Sequence, residues 1–206
     1  MLTFGVLGPV EVRAADGRAT VVPARQQALL GAALLQANTE VPTARLAAAI
    51  WGGRPPPAAA DLVRTYVATL RRALGPRAAG CIVAGPRGYL VRAERGALDL
   101  FEFERLTAEA ERAAAGGDHE RATRLLGDAL ARWRGPALAG LDSPLLRAAA
   151  ARLEEQRLRA VELRFESACH LGHPAWMVPE LTAFVAEHPR RDGTRALLRR
   201  VLQEVS

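Results

Sequence analysis

The residues best placed to do chemistry lie in "RTYVATLRRALGP", from Arg64 to Pro76. A guanidinium is a planar fork that donates two hydrogen bonds at once, so arginine can grip a phosphate or the O6/N7 edge of guanine in a fixed geometry. On a wheel of about 100° per residue, Val63, Tyr66, Val67, Leu70 and Leu74 share one side of a helix and must face a core. Arg64, Thr65, Ala68, Arg71 and Arg72 fall on the other side, with Asp61 near the start. Small residues such as Thr65 and Ala68 between arginines let a helix sit deep in a major groove. An arginine-rich face is more often merely solvated, so the surrounding elements have to decide.

Those elements have helix-turn-helix order. Leu2–Leu7, Val10–Arg13 and Ala19–Val22 read as strands, separated by turns at Gly8-Pro9 and Asp16-Gly17. After Pro23, Leu29, Leu30, Ala33 and Leu34 recur at helical spacing, and the pattern ends near Asn38. Thr43 is placed to cap a short helix through Leu46 to Ile50, closed by Trp51-Gly52-Gly53. "RPPP" at Arg54–Pro57 cannot be helical and forms a rigid loop. The third helix runs roughly from Ala58 to Leu74 and stops at Gly75-Pro76. Cys81–Ala84 and Tyr89–Arg92 then pair as a hairpin turning at "GPRG", with Arg87 at its tip. Such a hairpin reads as a wing able to reach the adjacent DNA backbone or minor groove.

The charge pattern points the same way. The net charge of +6 is uneven: residues 1–97 hold 12 arginines against 5 acids, and residues 98–206 hold 16 against 17. A basic half joined to a balanced half predicts one domain that meets a polyanion and one that does not. All basic residues are arginine, so the chain lacks the lysine of a P-loop, a Schiff base or a pyridoxal phosphate site. Cys81 and Cys169 form no disulfide framework, and "MLTFGVLGPVEV" does not resemble a signal peptide, so a cytoplasmic location is expected. No apolar run is long enough for a membrane span.

From Leu98 the pattern is all α. "DLFEFERLTAEAERAAAGGDHERATRLLGDALARWRG" reads as two helices broken at Gly116-Gly117, with Asp118 as an N-cap and Trp133 near the end. A pair of this length is similar to a tetratricopeptide unit. Ser143 caps a long helix, roughly Pro144–His170, followed by helices at Val178–Glu187 and Thr194–Val205. The expected fold is an α+β winged helix-turn-helix domain over 1–95, followed by an all-α tetratricopeptide-like domain over 98–206.

Here the ordered segments become specific. "FGVLGPVEV", "ARQQALLGAALLQAN", "RLAAAIWG", "YVATLRRALGP" and "GPRGYLVR" resemble the winged-helix domain of the Streptomyces antibiotic regulatory proteins, a fold shared with OmpR/PhoB-type phosphorelay response regulators. "LFEFERL", "RATRLLGDALARWRGPALAGL", "ARLEEQRLRAVELRFESACHLGH" and "ELTAFVAEHP" resemble the bacterial transcriptional activator domain of the same family.

The resemblance implies a transcriptional activator of a secondary-metabolite, antibiotic-type gene cluster. It would bind double-stranded promoter DNA at direct repeats near the −35 region, often side by side as a homodimer, and contact RNA polymerase including its sigma factor. It implies no cofactor and no enzymatic activity. Arg64, Thr65, Ala68, Thr69, Arg71, Arg72 and Arg87 are the expected DNA contacts.

Thr69 is a departure, since the family often carries a basic residue just before "LRR", and a base or phosphate contact is then lost or changed. The family's activator domain also commonly continues with another helix pair beyond the position of Ser206, so the domain here reads as C-terminally short. The rival expectation is a helical-repeat protein-interaction adaptor whose winged helix has lost DNA binding.

Other clusters carry less. Cys169, His170 and His173 in "CHLGH" offer three ligands to a metal, but at a helix end where a turn belongs, so no metal site is expected. Adjacent Glu154 and Glu155 diverge by about 100° on a helix and read as a solvated face. His119 and His188 flank turns as solvated or capping residues, and Trp51, Trp133 and Trp176 read as packing residues.

Overall fold

Three short strands open the chain: β1 (Thr3–Gly5), β2 (Glu11–Arg13) and β3 (Ala19–Thr20). They pair antiparallel in that order, with Phe4 opposite Val12. Phe4 and Val12 are buried while Thr3 and Arg13 face out, the period-two alternation of a half-covered sheet. The structure, a computed structural model, describes residues 2–13, 19, 20, 22–75, 80–172 and 177–205. The expected turn at Asp16-Gly17 and the stop at Pro76 lie outside the described residues.

Helix α1 (Ala24–Leu34) is mostly buried, and α2 (Thr43–Trp51) and α3 (Ala59–Leu74) follow. Gly52 (φ 66°) and Gly75 (φ 79°) end α2 and α3 in the left-handed region that glycine enters without steric cost. After α1 the chain turns at Asn38 (φ 67°), whose side chain pairs with Ala93 like a peptide group, donating to its carbonyl at 2.9 Å and accepting its N–H at 3.0 Å.

Thr43 does not cap α2. It is the first helical residue, Pro42 precedes the helix, and the Thr43 hydroxyl donates across to the Arg87 carbonyl at 3.2 Å.

A second antiparallel sheet has order β4-β6-β5, built from β4 (Val41–Pro42), β5 (Ile82–Ala84) and β6 (Gly88–Val91). The hairpin β5–β6 was expected; β4 was not. Two residues carry no periodicity, and Pro42 is tolerated only because β4 is an edge.

The remaining helices are α4 (Asp99–Ala115), α5 (His119–Leu130), α6 (Pro144–His170), α7 (Val178–Glu187) and α8 (Asp192–Val205). Asp118 caps α5, accepting the Arg121 N–H at 3.1 Å, and the Ser143 hydroxyl accepts the Leu146 N–H at 3.4 Å. Helix α5 stops before Trp133, which lies in the loop that follows.

Chain contacts define two units, Met1–Glu102 with Arg132–Glu155, and Phe103–Ala131 with Gln156–Ser206. In the first, Asp99 accepts the Val6 N–H at 2.9 Å and the Leu7 N–H at 3.0 Å, and Arg134 donates to Asp99 at 2.9 Å. The Arg134 and Leu138 N–H groups donate to the Leu7 and Val6 carbonyls at 2.8 and 3.0 Å. In the second unit, Phe165, Met177, Leu181, Phe184 and Val201 form a core, with Phe165 and Phe184 edge to face at 5.8 Å. Among the described residues no helix is long and apolar enough to cross a membrane.

Candidate nucleic-acid interface

Helix α3 divides as its periodicity requires. Val63, Val67 and Leu70 are buried, at 0 to 1 % exposure, and fix the helix to its unit. Tyr66 and Leu74 flank them half-buried. The Tyr66 hydroxyl accepts from the Arg25 guanidinium at 3.0 Å, and its ring lies 5.9 Å from that of Trp51. The opposite face leaves Arg64, Thr65, Ala68 and Arg72 exposed, with Thr69 half-buried.

The exposed arginines are held by near neighbours. Arg64 forms an ion pair with Asp61 one turn earlier. Arg72 donates to the Thr69 hydroxyl at 3.3 Å, and the Thr65 hydroxyl donates to the Asp61 carbonyl at 3.0 Å. An exposed ion pair of this kind is worth about 0–1 kcal/mol, so it can be exchanged for a phosphate at little cost.

Arg71 departs from the expected face. It is half-buried, and its Nε and Nη2 both donate to the Ile82 carbonyl at 3.2 and 2.7 Å. The guanidinium fork is spent on β5. Position 71 is four residues after Val67 and three before Leu74, at the edge of the core stripe, which was the available signal. Arg71 is therefore a strut between α3 and the hairpin.

At the hairpin tip, Pro86 and Arg87 span the turn closed by the Gly85 N–H donating to the Gly88 carbonyl at 2.9 Å. Arg87 is exposed, and its guanidinium has no hydrogen-bond or ion-pair partner among the described residues. Its backbone is held at both ends. The Arg87 N–H donates to Glu40 Oε1 at 2.5 Å, and its carbonyl accepts the Thr43 N–H at 3.1 Å. Sequence reasoning missed Glu40 and Thr43 in this role, and no short-range pattern marks partners more than forty residues away. It also passed over Arg45, exposed on α2.

Among the described residues no group of three His, Cys, Asp or Glu could hold a metal, and His173 and Trp176 lie outside them. His119 and His170 stack at 4.2 Å and His188 packs on Phe184 at 4.8 Å, so His119 and His188 are packed rather than solvated, while His188 is, as expected, a capping residue at the C-terminal end of α7. Glu154 and Glu155 are half-buried rather than a solvated face. Burial pushes the Cys81 thiol up, away from reactive thiolate chemistry.

Comparison with known proteins adds to this geometry. The sequence model of the family "Bacterial transcriptional activator domain" matches residues 98–205. Regulatory protein AfsR of Streptomyces coelicolor is 42% identical over 199 residues, covering 96% of this chain and 20% of AfsR. Regulatory protein DnrI of Streptomyces peucetius is 32% identical over 202 residues, covering 93% of this chain and 74% of DnrI. The chain thus spans about a fifth of the length of its AfsR relatives. A solved structure of Mycobacterium tuberculosis EmbR in complex with a low-affinity phosphopeptide matches with a TM-score of 0.92 at 31% identity, covering 99% of this chain and 55% of that one.

Proposed function

This chain belongs to the Streptomyces antibiotic regulatory protein family, and on that premise we propose that it is a sequence-specific, DNA-binding transcriptional activator of a secondary-metabolite gene cluster. Helices α1–α3 with the β4–β6 sheet form its winged helix-turn-helix domain, and the tetratricopeptide-like helices form its activator domain. Helix α3 enters the major groove. Arg64 and Arg72 grip bases or phosphates, Thr65 and Ala68 let the helix approach, and the half-buried Thr69 borders the same surface. The β5–β6 hairpin is the wing, and Arg87 meets the adjacent backbone or minor groove. Arg71 contributes by holding the wing to α3 rather than by touching DNA.

The observation that carries this reading is the two-sided α3, with a fully buried apolar stripe opposite an exposed arginine face, next to an arginine at a fixed hairpin tip whose guanidinium has no partner among the described residues. An arginine placed on a phosphate releases condensed counterions, so affinity falls as salt rises. Two or three such contacts from Arg64, Arg72 and Arg87 give a slope of log affinity against log salt of roughly −2 to −3. The activator domain supplies the surface for RNA polymerase and its sigma factor, and two copies lie side by side on direct repeats.

The test is a footprint on promoters neighbouring the gene that encodes this chain, followed by titration at several salt concentrations. A protected direct repeat with that slope is expected. Absence of any protected sequence, with no salt-dependent binding, would leave the protein-interaction adaptor as the better account.

A further inference from the structure

We propose that Glu40 is a positioning residue for DNA binding, fixing the Arg87 peptide so that its guanidinium is presented in one place, with Thr43 completing the clamp. This deepens the proposed function and rests on it. A two-residue turn leaves its backbone to solvent unless something else holds it. Here the Arg87 N–H donates to the Glu40 carboxylate at 2.5 Å. The Arg87 carbonyl accepts from the Thr43 N–H at 3.1 Å and the Thr43 hydroxyl at 3.2 Å. The Thr43 N–H is one of the unpaired donors in the first turn of α2, so the hairpin also finishes that helix.

The surrounding glycines are what this clamp requires. A Cβ on Gly85 would lie 2.6 Å from the Glu40 carboxyl carbon, and one on Gly88 would lie 2.0 Å from the Val41 carbonyl oxygen. Only glycine lets the hairpin close over β4 with a carboxylate beneath its tip.

The sign of the charge makes the inference sharp. Glu40 is one of only five acids in the basic first 97 residues, and it sits under the cation meant for a polyanion. As a mere charge it opposes DNA binding, and its removal would tighten binding. As a positioning residue its removal weakens binding.

The full chain and its E40A, E40Q, R87A and E40A/R87A variants would be titrated on one fluorescent mixed-sequence duplex at several salt concentrations, with thermal melts on the same samples. We expect R87A to weaken binding about three- to ten-fold and flatten the salt slope by about one. E40A should weaken it by a similar or smaller factor and add nothing in the R87A background. E40Q removes the charge but keeps an acceptor, so it should bind at least as tightly as the wild type. Should E40A fold poorly, Thr43→Val keeps the branched shape without the hydroxyl and should weaken binding only when Arg87 is present. Amide exchange at Arg87 should be slow in the wild type and E40Q and fast in E40A. Unchanged or tighter binding by E40A, while R87A weakens it, overturns the positioning role alone. No effect of R87A on affinity or slope removes the wing contact itself, and the positioning role with it.

Discussion

Helix α3 and the β5–β6 hairpin both present arginine, and they do so in opposite ways. On α3 the backbone is rigid through its own hydrogen bonds, and the side chains have partners: Asp61 for Arg64, Thr69 for Arg72, the Ile82 carbonyl for Arg71. At the hairpin tip the Arg87 side chain has no partner among the described residues, while its backbone is held by Glu40 and Thr43. A helix needs no outside help to place a Cα, so its neighbours can preset rotamers and reduce the entropy lost on binding. A two-residue turn has no internal ladder, so its geometry must come from elsewhere in the fold. In the proposed binding mode, α3 would exchange weak local partners for phosphate or base. The proposed contact at the hairpin would depend on a distant carboxylate.

The largest break in this comparison should come from the buried side of α3. Leu70→Ala is expected to destabilise the fold by about 2–5 kcal/mol, because a fully buried leucine leaves a cavity. A melt shifted by less than the equivalent of about 1 kcal/mol would mean that α3 is not anchored as described. Next comes the strut. Arg71→Ala removes both donors from the Ile82 carbonyl and should cost about 1.5–3 kcal/mol of stability. Compared at equal folded fraction, it should lose no more binding than Arg87→Ala does, because the strut acts only through the wing. If stability were unchanged and binding fell further than in Arg87→Ala, Arg71 would belong with the DNA contacts after all.

Arg72→Ala should behave in the reverse manner. Stability should stay within about 0.5 kcal/mol, while operator affinity falls by about 1–3 kcal/mol and discrimination relaxes at one base pair. Equal losses on every sequence would move Arg72 from base to phosphate. The smallest effect is expected at Thr69. Thr69→Arg should tighten binding by less than about 1 kcal/mol and steepen the salt slope by up to one. Part of the gain is offset because Arg72 loses its Thr69 hydroxyl partner. Weaker binding by this variant would mean that the half-buried Thr69 position cannot turn a cation toward DNA.

Much of this architecture could be read from single residues. The helices of both halves begin and end within a few residues of their expected places, because Gly52, Gly75, Gly116 and Gly117 act locally. The division of α3 into Val63, Val67 and Leu70 on one side and Arg64, Thr65, Ala68 and Arg72 on the other follows from 3.6-residue periodicity alone. The basic first half follows from residue counts, and the hairpin that carries Arg87 from its GPRG turn between two apolar segments.

Other features had no local signature. Strand β4 is two residues long and exists only because β6 lies beside it. Position 71 lies at the edge of the core stripe, but that the Arg71 fork closes on the Ile82 carbonyl while Arg72 faces out is settled only where the hairpin packs against α3. The loop from Arg132 joins the first unit through the Leu7 and Val6 carbonyls, more than a hundred residues away. Periodicity and propensity act over three or four residues, so they specify helices, turns and the face each helix turns inward. Which arginine has no side-chain partner among the described residues, and which distant carboxylate holds its backbone in place, is decided where segments far apart in the chain meet, because there backbone donors, carbonyls and charges find their partners.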